Sequence, residues 1–338
     1  MDYAAPRWLP GGNLQTIWAA LYARRFDGPA PVYRRERWNA PDGDFIDVDF
    51  IDAPLPGPRP LLVLFHGLAG SSRSHYAEAF AAFAAEQGMA FAVPHFRGCS
   101  GELNLAPRAY HSGDYEEIGW ILRRMHDQHA LRDGGGGPVL AAGVSLGGNA
   151  LLRWACEAGD TARATVGAVA SVSAPVDLAA GGEAIGRGFN RLVYTRMFLA
   201  TMKPKALAKL AQFPGLFDRD RLMAARDLYT FDDVFTAPLH GFRNTDDYWA
   251  WGSSKPHLGA IRVPTLVVNA LNDPFIPARS LPGPGEVGRH VTLWQPAQGG
   301  HVGFPLGHVR GMPERVGTWL QLHGGALADA PAAQPAGE

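Results

Sequence analysis

The segment Gly143-Val144-Ser145-Leu146-Gly147 sets a serine between glycines, with an apolar run, Val139 to Val144, before it and a helical pattern after it. A strand that turns sharply into a helix through such a segment pushes the serine hydroxyl clear of the backbone, and the turn leaves no room for side chains on its flanks. A serine hydroxyl is a weak nucleophile and needs a neighbouring base to take its proton. A histidine held by a carboxylate supplies that base. The chain has 12 histidines, so chain order has to choose among them. In a strand–turn–helix setting of this kind the order runs Ser, acid, His.

Only His301, His308 and His323 follow the last predicted strand. His301 stands in Gln298-Gly299-Gly300-His301-Val302-Gly303, directly after that strand, and is the preferred base, with His308 as the alternative. Two aspartates suit the acid by position. Asp273 follows the run Thr265–Ala270, and Asp177 follows Val166–Val172. Asp177 also suits the cap of a helix. The charge that develops on an attacked carbonyl oxygen needs backbone donors. The amide of Leu146 is one candidate. The amide of Leu68, in His66-Gly67-Leu68-Ala69-Gly70, is the other, because Gly67 lets the backbone come close. His66 precedes the serine and reads as a structural loop residue.

These residues need a scaffold, and the apolar pattern supplies one. Strands are predicted at Val32–Trp38, Phe45–Ile51, Leu61–Phe65, Met89–Val93, Val139–Val144, Val166–Val172, Thr265–Ala270 and His290–Trp294. Helices are predicted at His75–Gln87, Asp114–Gln128, Gly148–Ala158 and Pro313–His323, with a short one near Ala278. Continuous apolar runs such as Leu61–Phe65 suit strands buried on both faces. Alternating strands and helices predict an eight-stranded, mainly parallel sheet with helices on both faces. The alternation stops from about Asp177 to Arg262, which predicts a helical insertion between strands six and seven.

Composition narrows the function classes. Lys plus Arg number 31 against 32 Asp plus Glu, so no basic excess supports binding to nucleic acid. Two cysteines, Cys99 and Cys156, exclude a disulfide framework. No apolar stretch reaches the roughly 20 residues of a membrane span, so a cytoplasmic location is expected, with peripheral membrane contact left open. No Cys pair or His-Glu-x-x-His run points to a metal, and no cofactor is expected. Gly134–Gly137 precedes a strand and makes a poor phosphate loop. The sequence sets no oligomeric state.

Further motifs are spread along the chain. They are Asn13-Leu14-Gln15-Thr16-Ile17, Phe65-His66-Gly67-Leu68-Ala69-Gly70-Ser71-Ser72, Phe96-Arg97-Gly98-Cys99-Ser100-Gly101-Glu102, Tyr110-His111-Ser112-Gly113, Gly147-Gly148-Asn149, Phe231-Asp232-Asp233 and Thr236-Ala237-Pro238-Leu239-His240-Gly241-Phe242. With them, residues 8 to 320 resemble the α/β-hydrolase superfamily and, within it, the YheT-like branch of esterases. One departure is visible: that branch has His where this chain has Asn13. The resemblance implies an α/β-hydrolase fold with the triad Ser145, Asp273 and His301. It also implies hydrolysis of carboxylic esters with short- or medium-chain acyl groups, on a small-molecule ester or lipid substrate. Lipid lipases and acyl transfer to an alcohol belong to similar proteins. A non-catalytic binding protein on the same fold is the remaining alternative.

The expected organisation is a core from residues 1–176 and 263–324, a helical lid over 177–262 and a disordered tail over 325–338. The lid is rich in aromatic residues, of which Phe231, Phe235, Phe242 and Trp249 are taken as candidates for an acyl pocket. The 11 Lys plus Arg against 8 Asp plus Glu in residues 181–260 read as ordinary solvated surface and lend only weak support to binding of anionic lipid. Asp232 and Asp233 read as a helix N-terminal cap, with a paired-carboxylate site as the alternative.

Overall fold

The structure is a computed structural model that describes residues 3–131, 136–306 and 308–325. Its eight strands are β1 (Arg34–Asn39), β2 (Phe45–Ile51), β3 (Leu61–Phe65), β4 (Ala90–Pro94), β5 (Val139–Val144), β6 (Ala168–Val172), β7 (Thr265–Val268) and β8 (Val291–Trp294). They form one sheet in the order β1-β2-β4-β3-β5-β6-β7-β8. β1 and β2 are antiparallel, and β2 meets β4 antiparallel; from β4 to β8 every pairing is parallel.

Side chains alternate across the sheet, as the pleat requires. Val63, Phe65 and Ala141 pack with Ile118, Ile121, Leu151 and Trp154 of helices Tyr115–Ala130 and Leu146–Ala158. Leu62, Leu64 and Leu140 pack with Phe80, Phe83, Val316 and Leu320 of helices His75–Glu86 and Gly311–His323 on the other face. Burial on both faces explains why β3, β5 and β6 read as unbroken apolar runs. Because the central strands are parallel, the loops after β3, β5, β7 and β8 leave from one edge. Leu68, Ser145, Asp273 and His301 lie on those four loops.

Several boundaries differ from the sequence reading. β1 and β6 each begin two residues later than expected, and the helix after β5 begins at Leu146 rather than Gly148, directly after the serine. A helix at Gly12–Leu21 was not expected at all. Between β6 and β7 lies the helical insertion, whose main helices are Leu178–Ile185, Arg196–Gln212, Arg219–Ala224, Leu228–Val234 and Thr245–Gly252. The expected tail, apart from Gly325, and the first two glycines of Gly134–Gly137 lie outside the described residues. Among the described residues no helix is long and apolar enough to cross a membrane.

Candidate active site

Ser145 occupies a backbone conformation that L-residues rarely adopt, with φ 53° and ψ −120°. Such strain persists only where the surroundings enforce it. Here the crowding is severe. A Cβ on Gly147 would lie 2.4 Å from the carbonyl oxygen of His66, and one on Gly143 would lie 2.5 Å from that of Gly147. The glycines therefore let β5 turn into helix Leu146–Ala158 within a single residue.

The turn aims the hydroxyl at a histidine. Ser145 Oγ is 3.0 Å from His301 Nε2, and His301 Nδ1 is 2.9 Å from Asp273 Oδ2. The Asp273 side chain is fully buried and that of His301 is 10% exposed. The second Asp273 oxygen accepts from the amide of Phe275 at 2.8 Å, and the Phe275 ring lies 4.1 Å from the imidazole. With Nδ1–H donated to the carboxylate, Nε2 is left to accept the serine proton. The three side chains stand as a nucleophile–His–Asp triad.

The other candidates are placed elsewhere. Asp177 caps the first insertion helix by accepting from the amide of Ala180. His308 accepts from the amide of Arg310 through Nδ1, and its backbone pairs with Arg24. His66 is buried, accepts from the amide of Phe96, and burial pushes its pKa down to about 3. It is a neutral strut under its own loop.

That loop presents one free amide. The amide of Gly67 donates to Tyr76 Oη at 2.8 Å, and that of Ala69 donates to Tyr110 Oη at 2.9 Å. Between them, the amide of Leu68 has no partner among the described residues, and neither has that of Leu146 at the start of its helix. A Cβ on Gly67 would sit 3.2 Å from Ser145 Cβ, so the loop passes hard against the nucleophile. Both free amides border the same cavity as Ser145 and His301.

The cavity measures about 180 Å³. Phe231, Phe235 and Trp249 line it. Phe242 lies outside its lining; its ring packs 5.1 Å from Trp251 and 5.4 Å from Tyr248. The reading of Asp232 and Asp233 as a helix cap is corrected. Both fall at the end of helix Leu228–Val234, whose cap is Asp227. Asp232 instead accepts from Trp249 Nε1 at 2.9 Å and from Thr236 Oγ1 at 2.6 Å, and burial pushes its pKa up to about 6. Asp233 meets Arg221.

Two groups of residues that sequence reasoning left without a role support the site. In helix Gly12–Leu21, Thr16 Oγ1 accepts from the amide of His301 at 2.8 Å. Gln15 Oε1 accepts from the amide of Gly299 at 2.9 Å and from Asn272 Nδ2 at 3.0 Å, while Asn272 Oδ1 accepts from the amide of Gly300. The N-terminal helix thus clamps the loops of both His301 and Asp273. Asn13, the position of departure, accepts from Tyr194 Oη of the insertion at 2.9 Å. Behind the serine, Asn149 Nδ2 donates to the carbonyls of Ser112 and Gly252, and its Oδ1 accepts from the amide of Ser254. This ties the elbow helix to the base of the insertion. Replacing Thr16 by Val removes the acceptor for the His301 amide while keeping the shape. The expected result is a fall in kcat of about tenfold with a smaller change in KM, the signature of a misplaced base; steady-state kinetics on one ester checks it.

Comparison with known proteins agrees with this geometry. Residues 60–307 match the family model described as the alpha/beta hydrolase fold. YheT of Escherichia coli strain K12, an esterase by name, is 37% identical over 95% of this chain and 94% of its own length. The mouse phospholipase ABHD3 is 30% identical over 82% of this chain and 67% of its own. Among solved structures, the esterase Pf2001 of Pyrococcus furiosus superposes with a TM-score of 0.56, covering 90% of this chain and 99% of that one, at 15% identity. With the fold, the triad geometry and these matches together, the chain belongs to the α/β-hydrolase family.

Proposed function

We propose that the protein hydrolyses carboxylic esters of short- to medium-chain acyl groups through an acyl-enzyme on Ser145. The 3.0 Å approach of Ser145 Oγ to His301 Nε2 carries this reading. Ser145 Oγ attacks the ester carbonyl as His301 Nε2 takes its proton. The amides of Leu68 and Leu146 receive the oxyanion, and the positive end of helix Leu146–Ala158 adds to their field. His301 then donates the proton to the leaving alcohol oxygen. A water, activated by the same nitrogen, attacks the acyl carbon and restores the serine. Asp273 keeps the imidazole in the required tautomer throughout.

The cavity volume supports the chain-length part of the reading, since it falls below the roughly 300 Å³ at which pockets for drug-sized ligands begin. Phe231, Phe235 and Trp249 provide an apolar wall for the acyl group. A series of p-nitrophenyl esters tests it. The expected kcat/KM peaks between about four and ten acyl carbons and falls at least about tenfold by sixteen, because each methylene beyond the cavity's length loses its apolar wall. Highest activity at sixteen carbons overturns the chain-length claim. No turnover of any ester overturns the reaction itself. Phospholipase names among the relatives extend the candidate substrates to lipid esters. Partitioning of the acyl group between water and added alcohol separates hydrolysis from acyl transfer.

A further inference from the structure

The cavity beside Ser145 is not apolar throughout. Helix Arg196–Gln212 turns Met202, Lys205, Ala206 and Lys209 towards it. Two lysines one helical turn apart usually face water. Here both line the cavity beside Ser145, Lys209 buried and Lys205 half-buried, and neither forms an ion pair with a carboxylate among the described residues.

The two differ in what they have left to give. Lys209 is buried, and its three N–H groups are spent on the carbonyls of Asn104 and Ala106 and on Gln212 Oε1, at 2.6 to 2.9 Å. Among the described residues, Lys205 has only Cys99 Sγ, at 3.8 Å. A thiol sulfur is a weak acceptor and cannot satisfy an ammonium. The direction of that contact is informative. Cys99 hydrogen-bonds Tyr110, and Tyr110 Oη accepts the amide of Ala69, next to the free amide of Leu68. The Lys205 ammonium therefore lies on the cavity wall, two contacts from the loop that borders the nucleophile.

The remaining charges on the cavity wall are accounted for. Arg97 meets Asp42, Asp44 and Glu117, and Arg108 meets Asp114. Asp232 is occupied by Trp249 and Thr236. Of the four cations that line the cavity, Arg97 and Arg108 are paired with carboxylates, and Lys205 and Lys209 have no carboxylate partner among the described residues. Lys205 is half-buried on the cavity wall, and its unused donors are open to an anionic acceptor that enters the cavity.

We propose that the physiological ester carries an anionic oxygen group, which seats on Lys205 while its ester carbonyl lies at Ser145. The proposal rests on the esterase reading above and adds the charge of the substrate to it. Lys205 supplies the hydrogen bonds; Lys209, with its donors spent, supplies field alone.

The test compares matched esters. For an anion on the acyl side, mono-4-nitrophenyl glutarate is set against 4-nitrophenyl pentanoate. For one on the alcohol side, 3-carboxyphenyl butanoate is set against phenyl butanoate. The readout is the anionic-to-neutral ratio of kcat/KM in wild type, Lys205→Met and Lys205→Arg. In one of the two pairs the ratio is expected to fall about tenfold in Lys205→Met and to be largely kept in Lys205→Arg; which pair responds places the anion on the acyl or the alcohol side. A ratio cancels any loss of folded enzyme, so poor folding cannot imitate the effect. Ratios unchanged by Lys205→Met in both pairs overturn the proposal while leaving the esterase reading intact. If no ester turns over, the esterase reading fails, and saturation-transfer NMR of Ser145→Ala with monomethyl glutarate and methyl pentanoate still decides the charge question. Preference for the anionic ligand that disappears on adding Lys205→Met supports it, and equal binding of both ligands overturns it.

Discussion

Replacing Ser145 by Ala is expected to lower kcat for any accepted ester by at least about 10⁴-fold, with the fold and the substrate affinity largely kept. The argument is geometric. Ser145 is the hydroxyl within hydrogen-bond reach of the His301 nitrogen that faces away from Asp273. Removing it leaves the two free amides and the cavity in place, so binding survives while no covalent intermediate can form. The strain of a φ of 53° is the same for Ala as for Ser, so the substitution adds none and the fold is expected to be kept. A thermal melt beside the kinetics separates loss of chemistry from loss of structure.

The second large effect belongs to Asp273. Asp273→Asn keeps the size of the side chain but replaces an acceptor with an amide that can donate. If the amide NH₂ faces His301 Nδ1, the ring must carry its proton on Nε2 and cannot accept from Ser145. A loss in kcat of about 10³- to 10⁴-fold is expected. Asp273 Oδ1 also accepts the amide of Phe275, so a variant that keeps this contact still misplaces the proton. Asp177→Asn is the control. Its carboxylate caps the helix Leu178–Ile185 rather than touching His301, and its effect on kcat should stay within a few-fold.

Much of this site was legible because each part had a local cause. Gly143 and Gly147 are required where a side chain would meet backbone oxygen, and that requirement is written in the sequence as a pattern around Ser145. His301 and Asp273 follow strands whose apolar runs are unmistakable, and chain order did the rest. The strands themselves were found to within about two residues, since burial on both faces leaves a continuous apolar signature.

What stayed hidden has no local signature. Pro10-Gly11-Gly12 reads as a loop, and the helix that begins there packs through contacts to residues almost 290 positions away. No periodicity reveals that Thr16 holds the amide of His301. Asp232 and Asp233 look like a cap because adjacent acids commonly begin helices; the true cap, Asp227, lies five residues earlier. Phe231 and Phe242 are equally apolar in sequence, and only the packing of Phe242 against Trp251 and Tyr248 takes it out of the cavity wall. Lys205 and Lys209 carry the spacing of a solvated helix face. Their place on the cavity wall follows from how helix Arg196–Gln212 is set against the rest of the fold, which the residues of that helix alone do not encode.

The central claim is that Ser145 is activated by His301 to attack an acyl-type centre. Treatment with a fluorophosphonate followed by peptide mass spectrometry tests it most directly, because the probe reacts with an activated serine and marks the residue. A single adduct on the peptide containing Ser145, absent from Ser145→Ala and strongly slowed in His301→Ala, is the result the account predicts. An adduct on another residue, or equal labelling of wild type and Ser145→Ala, would contradict it.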